Sequence, residues 1–309
     1  MLQNKTIVVA GGDLRQAQLA RLLREHNRVY TIGLEKAEGL EDTFAETAAL
    51  KQEPVPPDYI ILPVPAGSDE DTVNTPFSGK RLPMEDLLEL AGPDTLVLGG
   101  KLSEGLRQKL EARKLAWADY LQREELAVLN AIPTAEGTVQ IAMEELPSTI
   151  FGLQALVIGY GRIGRVLCRM LRGLGAHVTA AARKYADLAW IEADGCTPVH
   201  TGRMEEALKD SQLIVNTAPA MLLNEQLLKG VPKSCLLIDL ASKPGGIDFN
   251  TANRLGLKAI WALSLPGKVA PLTAGRIIFD TIQNIAAERG EGHGTDEAGL
   301  CNDRQLLHL

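Results

Sequence analysis

The sequence predicts an α/β protein of two domains, each a parallel sheet with helices packed against it. Three observations lead there. Short aliphatic, β-branched runs alternate along the chain with stretches of helical period, the order that builds parallel sheets. Two of those runs, Thr6 to Ala10 and Leu153 to Ile158, end in glycine turns that open directly into a helix. The length of 309 residues suits two cores of ordinary size.

The first domain reads in order. Thr6 to Ala10 is a strand, and Gly11-Gly12-Asp13-Leu14-Arg15 turns it into a helix reaching about Glu25. Arg28 to Ile32 is the next strand. The turn has two glycines and lacks the third of a nucleotide fingerprint, but it still lies at a strand's carboxyl end, where open α/β sheets bind ligands. Arg15 is therefore a substrate-side candidate. Tyr59 to Pro63 is a strand followed by a long polar loop through Asn74 to Arg81, a length associated with function or mobility. Helix Met84 to Leu90, strand Thr95 to Leu98 ending in Gly99-Gly100-Lys101, helix Glu104 to Arg113 and an edge strand from Ala116 complete a flavodoxin-like domain, assigned to residues 1–130. That span ends with a helix from Glu124 to Leu129. A connecting helix, assigned to 131–149, follows, with Val139, Ala142, Met143 and Leu146 on one face.

The second domain, assigned to 150–268, opens on Gly159-Tyr160-Gly161-Arg162-Ile163-Gly164. Ile163, Val166, Leu167, Met170, Leu171 and Leu174 then recur at helical spacing. Strand, Gly-x-Gly-x-x-Gly turn and helix together form the Rossmann dinucleotide fingerprint: the first glycine permits the turn, the second admits a pyrophosphate, and the third lets helix and strand pack closely. Tyr160 and Arg162 are placed to close over the diphosphate. An NAD site normally ends the second strand with an acid about 20 residues past the first glycine. Here His177 to Ala181 runs into Ala182-Arg183-Lys184, two cations and no carboxylate, so NADP is the expected cofactor and NAD the second choice. His200, after the strand Thr197 to Val199, reads as a cofactor-side residue. The strand Leu213 to Asn216 ends where Asn216, Thr217 and Pro219 should line the path of ribose and diphosphate. Strand Cys235 to Leu240, the loop Ser242 to Gly246 and strand Lys258 to Trp261 follow. After the loop Leu263 to Pro271, a long helix (271–288) with Ala274, Ile277, Ile278, Thr281, Ile282 and Ile285 on one stripe is expected to return to the first domain. Residues 290–309 are polar and glycine-containing, the composition of a flexible tail.

Bulk properties exclude several classes. A net charge of −7 with no basic, aromatic-rich stretch argues against nucleic acid or anionic membrane as the main partner. No apolar run is long enough to span a bilayer, and the cytoplasm is the expected location. Cys168, Cys196, Cys235 and Cys301 form no C-x-x-C pair, and the five histidines show no ligand spacing, so no metal is expected.

Four local sequences carry a resemblance: Gly11-Gly12-Asp13, Asn130 to Gly137, Asp239 to Gly246, and Ser264 to Pro271. Together they resemble the dipicolinate synthase A-subunit family, within the wider two-domain architecture of D-2-hydroxyacid and alanine dehydrogenases. The resemblance runs from residue 5 to about 288. It implies a sporulation enzyme of the mother-cell cytoplasm that oxidises a dihydro- or 4-hydroxytetrahydrodipicolinate from the lysine pathway to pyridine-2,6-dicarboxylate. It also implies a flavoprotein-like partner, the dipicolinate synthase B-subunit, beside any homo-oligomer. A dicarboxylate substrate calls for cations at strand ends, and Lys243, Lys268, Arg15 and Lys101, with Ser242, are the candidates on such loops. Hydroxyacid dehydrogenases place an arginine and a histidine near the positions of Ser242-Lys243 and Gly267-Lys268. An oxidation that creates an aromatic ring demands less of a base, so Lys268 is the candidate base only if one is needed, and carboxylate binding is its simpler role. A hydroxyacid or imino-acid dehydrogenase, and a non-catalytic cofactor-binding subunit, are the alternatives.

Overall fold

The computed structural model describes residues 2–290. The described chain divides into two units, one of residues 2–121 with 278–290, the other of Gln122–Ile277. The expected tail, with His293, Cys301 and His308, lies outside the described residues from 291 on.

The first unit contains β1 (Thr6–Ala10), α1 (Leu14–Leu23), β2 (Arg28–Ile32), α2 (Thr47–Leu50), β3 (Tyr59–Ile61), α3 (Met84–Leu88), β4 (Leu96–Gly99), α4 (Glu104–Ala112) and β5 (Ala116–Asp119). Its strands pair in parallel in the order β2-β1-β3-β4-β5. Val9, Ile60, Ile61, Val97 and Leu98 are completely buried. Strands sandwiched between helical layers have no polar face, which is why they appear in the sequence as unbroken apolar runs.

The second unit contains α5 (Glu124–Leu129), α6 (Ala131–Glu145), β6 (Gln154–Ile158), α7 (Arg162–Gly173), β7 (His177–Ala182), α8 (Tyr185–Ala193), β8 (Thr197–His200), α9 (Glu205–Asp210), β9 (Leu213–Asn216), α10 (Glu225–Leu228), β10 (Leu236–Asp239), α11 (Phe249–Arg254), β11 (Lys258–Trp261) and α12 (Leu265–Val269). Its parallel sheet runs β11-β10-β9-β6-β7-β8. The order reverses between β6 and β9, the point at which open sheets of this kind bind ligands. The last helix, α13 (Pro271–Glu288), runs through the division at Ile277. Its six stripe residues are all buried, and within the first unit Gln283 Oε1 accepts from Leu2 N at 2.6 Å.

Several boundaries differ from the sequence reading. The division falls after Leu121 rather than at 130, because α6 packs along α7: Ala135 and Ala142 share a core with Leu167 and Leu171. Pro133 lies inside the first turn of α6, where a missing N–H is tolerated. Met143 is 64% exposed, since the helix buries the stripe of Ala135, Thr138 and Ala142, and the next residue lies about 100° further round. Leu174, at the end of α7, is exposed as well.

Candidate functional site

The three glycines of the turn between β6 and α7 do different work. Gly159 has φ +100°, and a Cβ there would stand 2.4 Å from Thr217 Oγ1. At Gly164 a Cβ would meet the carbonyl oxygen of Gly159 at 2.1 Å. Gly161 differs: its backbone suits any residue, and no atom lies within 4 Å of its Cβ position. The fold needs the outer two glycines. The middle one leaves open space before a helix whose N-terminus has no acidic residue in its first turn and no side-chain cap, the setting that receives a phosphate.

A pocket of about 810 Å³ opens there. Gly159, Tyr160, Gly161, Arg162, Arg183 and Pro219 line it, joined by Arg165, Arg169, Asp187, Thr201 and Ala218. Four arginines face two carboxylates, Glu124 and Asp187, so the pocket favours a polyanion. Arg165 and Arg169 went unread in the sequence, although they follow Arg162 at three and seven residues on one helix face. Arg165 is held in place: its Nε donates to the Tyr160 carbonyl at 3.3 Å, its guanidinium lies 5.3 Å from the Tyr160 ring centre, and Asp187 is 3.6 Å away. Arg162 pairs with Glu124 at 2.6 Å. The Tyr160 hydroxyl donates to Asp194 rather than reaching over the turn, and burial, followed by that bond, raises its pKa.

Other expected cofactor residues act beneath the pocket or beside it. Ile163 packs on the core, and Gly164 is buried under the turn. Lys184 is exposed at the start of α8 and is not among the residues that line the pocket. Asn216 is fully buried; its Nδ2 donates to Asp239 Oδ1 at 2.8 Å and to the Ala218 carbonyl at 3.0 Å. Thr217 Oγ1 donates to the Ile158 carbonyl at 3.0 Å. Both residues fix the loop after β9 against the glycine turn. His200 Nδ1 accepts from Gly202 N at 3.1 Å, and its ring stacks on Tyr185, 5.9 Å between centres.

The substrate-side candidates fall in both units. In the second, Ser242 and Lys243 are exposed on the loop after β10. Buried Asp239 stitches that loop down, accepting from the backbone N–H of Ala241 at 3.0 Å, Gly246 at 2.7 Å and Ile247 at 3.2 Å, and Trp261 Nε1 donates to the Ala241 carbonyl at 2.8 Å. Lys268 is on helix α12 and not on a loop. That helix packs against α6 at Gly137, whose Cβ would touch Val269 at 3.1 Å and Leu265 at 3.2 Å. In the first unit Arg15 also lies on a helix, in the first turn of α1, and not on the loop. Its guanidinium is engaged by Asp13 at 2.9 Å and by the Val64 carbonyl at 3.0 Å. Lys101 is exposed, with φ +58°, and lines a separate pocket of about 490 Å³ with Ser68, Asp69 and Glu70. In the Gly11-Gly12 turn the Asn74 carbonyl takes the Gly12 N–H at 2.8 Å, a position a phosphate would need. Among the described residues no group of three His, Cys, Asp or Glu could hold a metal ion, and no helix is long and apolar enough to cross a membrane.

Residues 6–121 match the model of the N-terminal domain of the dipicolinate synthase A-subunit. Residues 123–243 match that of the D-isomer specific 2-hydroxyacid dehydrogenase NAD-binding domain. Over 293 residues, 93% of this chain and 98% of the relative, the sequence is 36% identical to the dipicolinate synthase A-subunit of Bacillus subtilis strain 168. The chain belongs to the dipicolinate synthase A-subunit family. The solved A-subunit from Bacillus halodurans, 33% identical, superposes with a TM-score of 0.85 over 93% of this chain and 99% of that one. L-alanine dehydrogenase, 16% identical with a TM-score of 0.64 over 92% and 90% of the two chains, shares the fold alone. The family's second domain is thus of the NAD(P)-binding dehydrogenase type, and the class is oxidoreductase.

Proposed function

We propose that this chain is the oxidoreductase subunit of a dipicolinate synthase. With NADP as acceptor it oxidises dihydrodipicolinate, or 4-hydroxytetrahydrodipicolinate with loss of water, to pyridine-2,6-dicarboxylate. The observation behind this reading is identity spread over nearly the whole of both chains rather than over one domain. The residues fit the cofactor: Gly161 leaves room for a pyrophosphate, the first turn of α7 offers N–H donors, and arginines surround the pocket. Arg183 stands where an acid would hold a ribose 2′-hydroxyl and is assigned to a 2′-phosphate, with NAD the weaker ligand.

When bound, the nicotinamide supplies the hydride acceptor. The protein's own task is to hold a flat dianion and relieve it of a proton. Lys243 and Lys268 suit that task because each rides on a fixed support, the Asp239-stitched loop and the α6-packed helix α12. Ser242 adds a hydroxyl beside Lys243. Aromaticity gained by the product lowers the demand on the base, so Lys268 serves first as a carboxylate partner. A flavoprotein-like second subunit, homo-oligomer formation and action in the cytoplasm of a sporulating mother cell complete the proposal.

The test is turnover. Purified chain, alone and with its second subunit, is given the lysine-pathway aldol product and NADP, and NADPH and dipicolinate are followed by absorbance. Equimolar appearance of both is expected. Absence of NADP reduction both with and without the second subunit contradicts the reading. Turnover of simple 2-hydroxy acids in its place makes the chain a hydroxyacid dehydrogenase.

A further inference from the structure

Helices α6 and α7 bury their facing stripes in the core that Ala135 and Ala142 share with Leu167 and Leu171, and they leave their outer stripes bare. A groove of about 670 Å³ lies between them, walled by Val139 and Met143 from α6 and by Met170 and Leu174 at the end of α7. Met143 and Leu174 are 64% and 44% exposed. Gly173 keeps the groove open, since nothing lies within 4 Å of its Cβ position. The apolar surface continues. The ring of Phe151, 79% exposed, lies against Gly175 next to Leu174, and Val128, 45% exposed, lines the cofactor pocket together with Arg169. Apolar surface gathered on one face in this way marks a contact with another protein.

The charges on the two helices say which protein. Helix α6 carries Glu136, Glu144 and Glu145 and no Lys or Arg, and α7 carries Arg162, Arg165, Arg169 and Arg172 and no acid. Most of these are matched within the chain. Glu144 accepts from Gln140 Nε2 at 2.9 Å, Glu145 pairs with Lys258, Arg162 pairs with Glu124, Arg165 lies by Asp187, and Arg172 donates to the Asp194 carbonyl. Glu136 and Arg169, both exposed, have no hydrogen-bond or ion-pair partner among the described residues. Glu136 lines the groove from α6, and Arg169 precedes Met170 on α7.

We propose that this face is where two copies of the chain meet, about a two-fold axis that lays α6 of one copy against α7 of the other. The apolar seam then meets itself, and each Glu136 finds Arg169 of the partner subunit, twice by symmetry. Burial of the seam holds the dimer, while the ion pairs at its rim fix which helix faces which. Arg169 is free for this because it lies seven residues beyond Arg162, about 10 Å along the helix from the glycine turn. A foreign partner would have to reproduce an acidic and a basic stripe on either side of an apolar seam, and a second copy carries both. The inference rests on the homo-oligomer named in the proposed function and gives it a surface.

The experiment is light scattering on the intact chain from about 1 to 100 μM, with neither nucleotide nor substrate present, so its outcome is separate from that of the turnover test. Twice the mass of one chain is expected. Met143→Glu charges the groove and Gly173→Tyr fills it, both at exposed positions, and each should weaken the dimer about 100-fold or more. Glu136→Arg and Arg169→Glu should each weaken it about tenfold, and the two together should return to within about threefold of the parent. A chain that stays monomeric at about 100 μM, or that associates only with its second subunit, overturns the proposal. So does a dimer that both groove variants leave intact. A double exchange no tighter than the single ones overturns the setting of α6 against α7.

Discussion

Gly161 and Gly164 are three residues apart and should respond to the same substitution in opposite ways. Ala at 164 drives a methyl into the Gly159 carbonyl, a backbone atom that cannot step aside, and should cost about 1–3 kcal/mol or more in thermal unfolding. Ala at 161 meets nothing in the protein, so unfolding should be unchanged. NADP affinity should then fall about tenfold or more, roughly 1.4 kcal/mol. The reverse pattern would mean that the pocket is not where the diphosphate lies. Arg183→Ala should weaken NADP about tenfold and leave NAD nearly unaffected. Equal loss with both nucleotides would dismiss Arg183 as the 2′-phosphate contact. Lys243→Ala and Lys268→Ala should each lower kcat/KM about 10- to 100-fold, the loss of one charge-assisted hydrogen bond, with NADP affinity retained. At this scale the sequence was only partly legible. The glycine spacing was readable because it is a local motif. The inward turn of Asn216 was not, because position along a strand does not say which partner a buried amide finds. Lys184 and Arg183 are neighbours in sequence, yet only Arg183 lines the pocket.

Among the elements, strands were the easier reading. β1 and β9 coincide with the ranges expected from the sequence, since a strand buried on both faces leaves an apolar run bounded by polar residues, and the edge strands β2 and β11 and helix α5 coincide as well. Helix α12 was hidden by Pro266 and Gly267, both poor helix formers, although proline is accepted in a first turn. What holds α12 is tertiary: Gly137 lets it settle on α6. Gly137→Ala weighs a gain of about 1 kcal/mol in helix propensity against slight crowding and should be close to neutral. Gly137→Leu should cost about 1–3 kcal/mol and displace α12 with Lys268, so kcat/KM for the dicarboxylate should fall with it. Unfolding curves and steady-state kinetics on the two variants check this, and equal behaviour of Ala and Leu would show that the contact is not tight.

For the molecule as a whole, both sheets have a switch point, between β1 and β3 in the first unit and between β6 and β9 in the second. The first is closed by the chain's own loop, through the Asn74 carbonyl on Gly12, and the second is open and lined with arginines. A net charge of −7 therefore conceals a local cluster of four arginines, and the composition does not reveal where an anion goes. The division after Leu121 left no mark in composition, because α5 and α6 look like any helices until their packing on α7 is seen. The reaction proposed for the fold rests on family likeness, since neither period nor charge encodes a substrate. The most direct measurement of the central claim is calorimetric titration of the intact chain with NADP and with NAD. One NADP site per chain, at least about tenfold tighter than NAD, is the predicted result. Absence of binding heat with both nucleotides over a range of temperatures would contradict it.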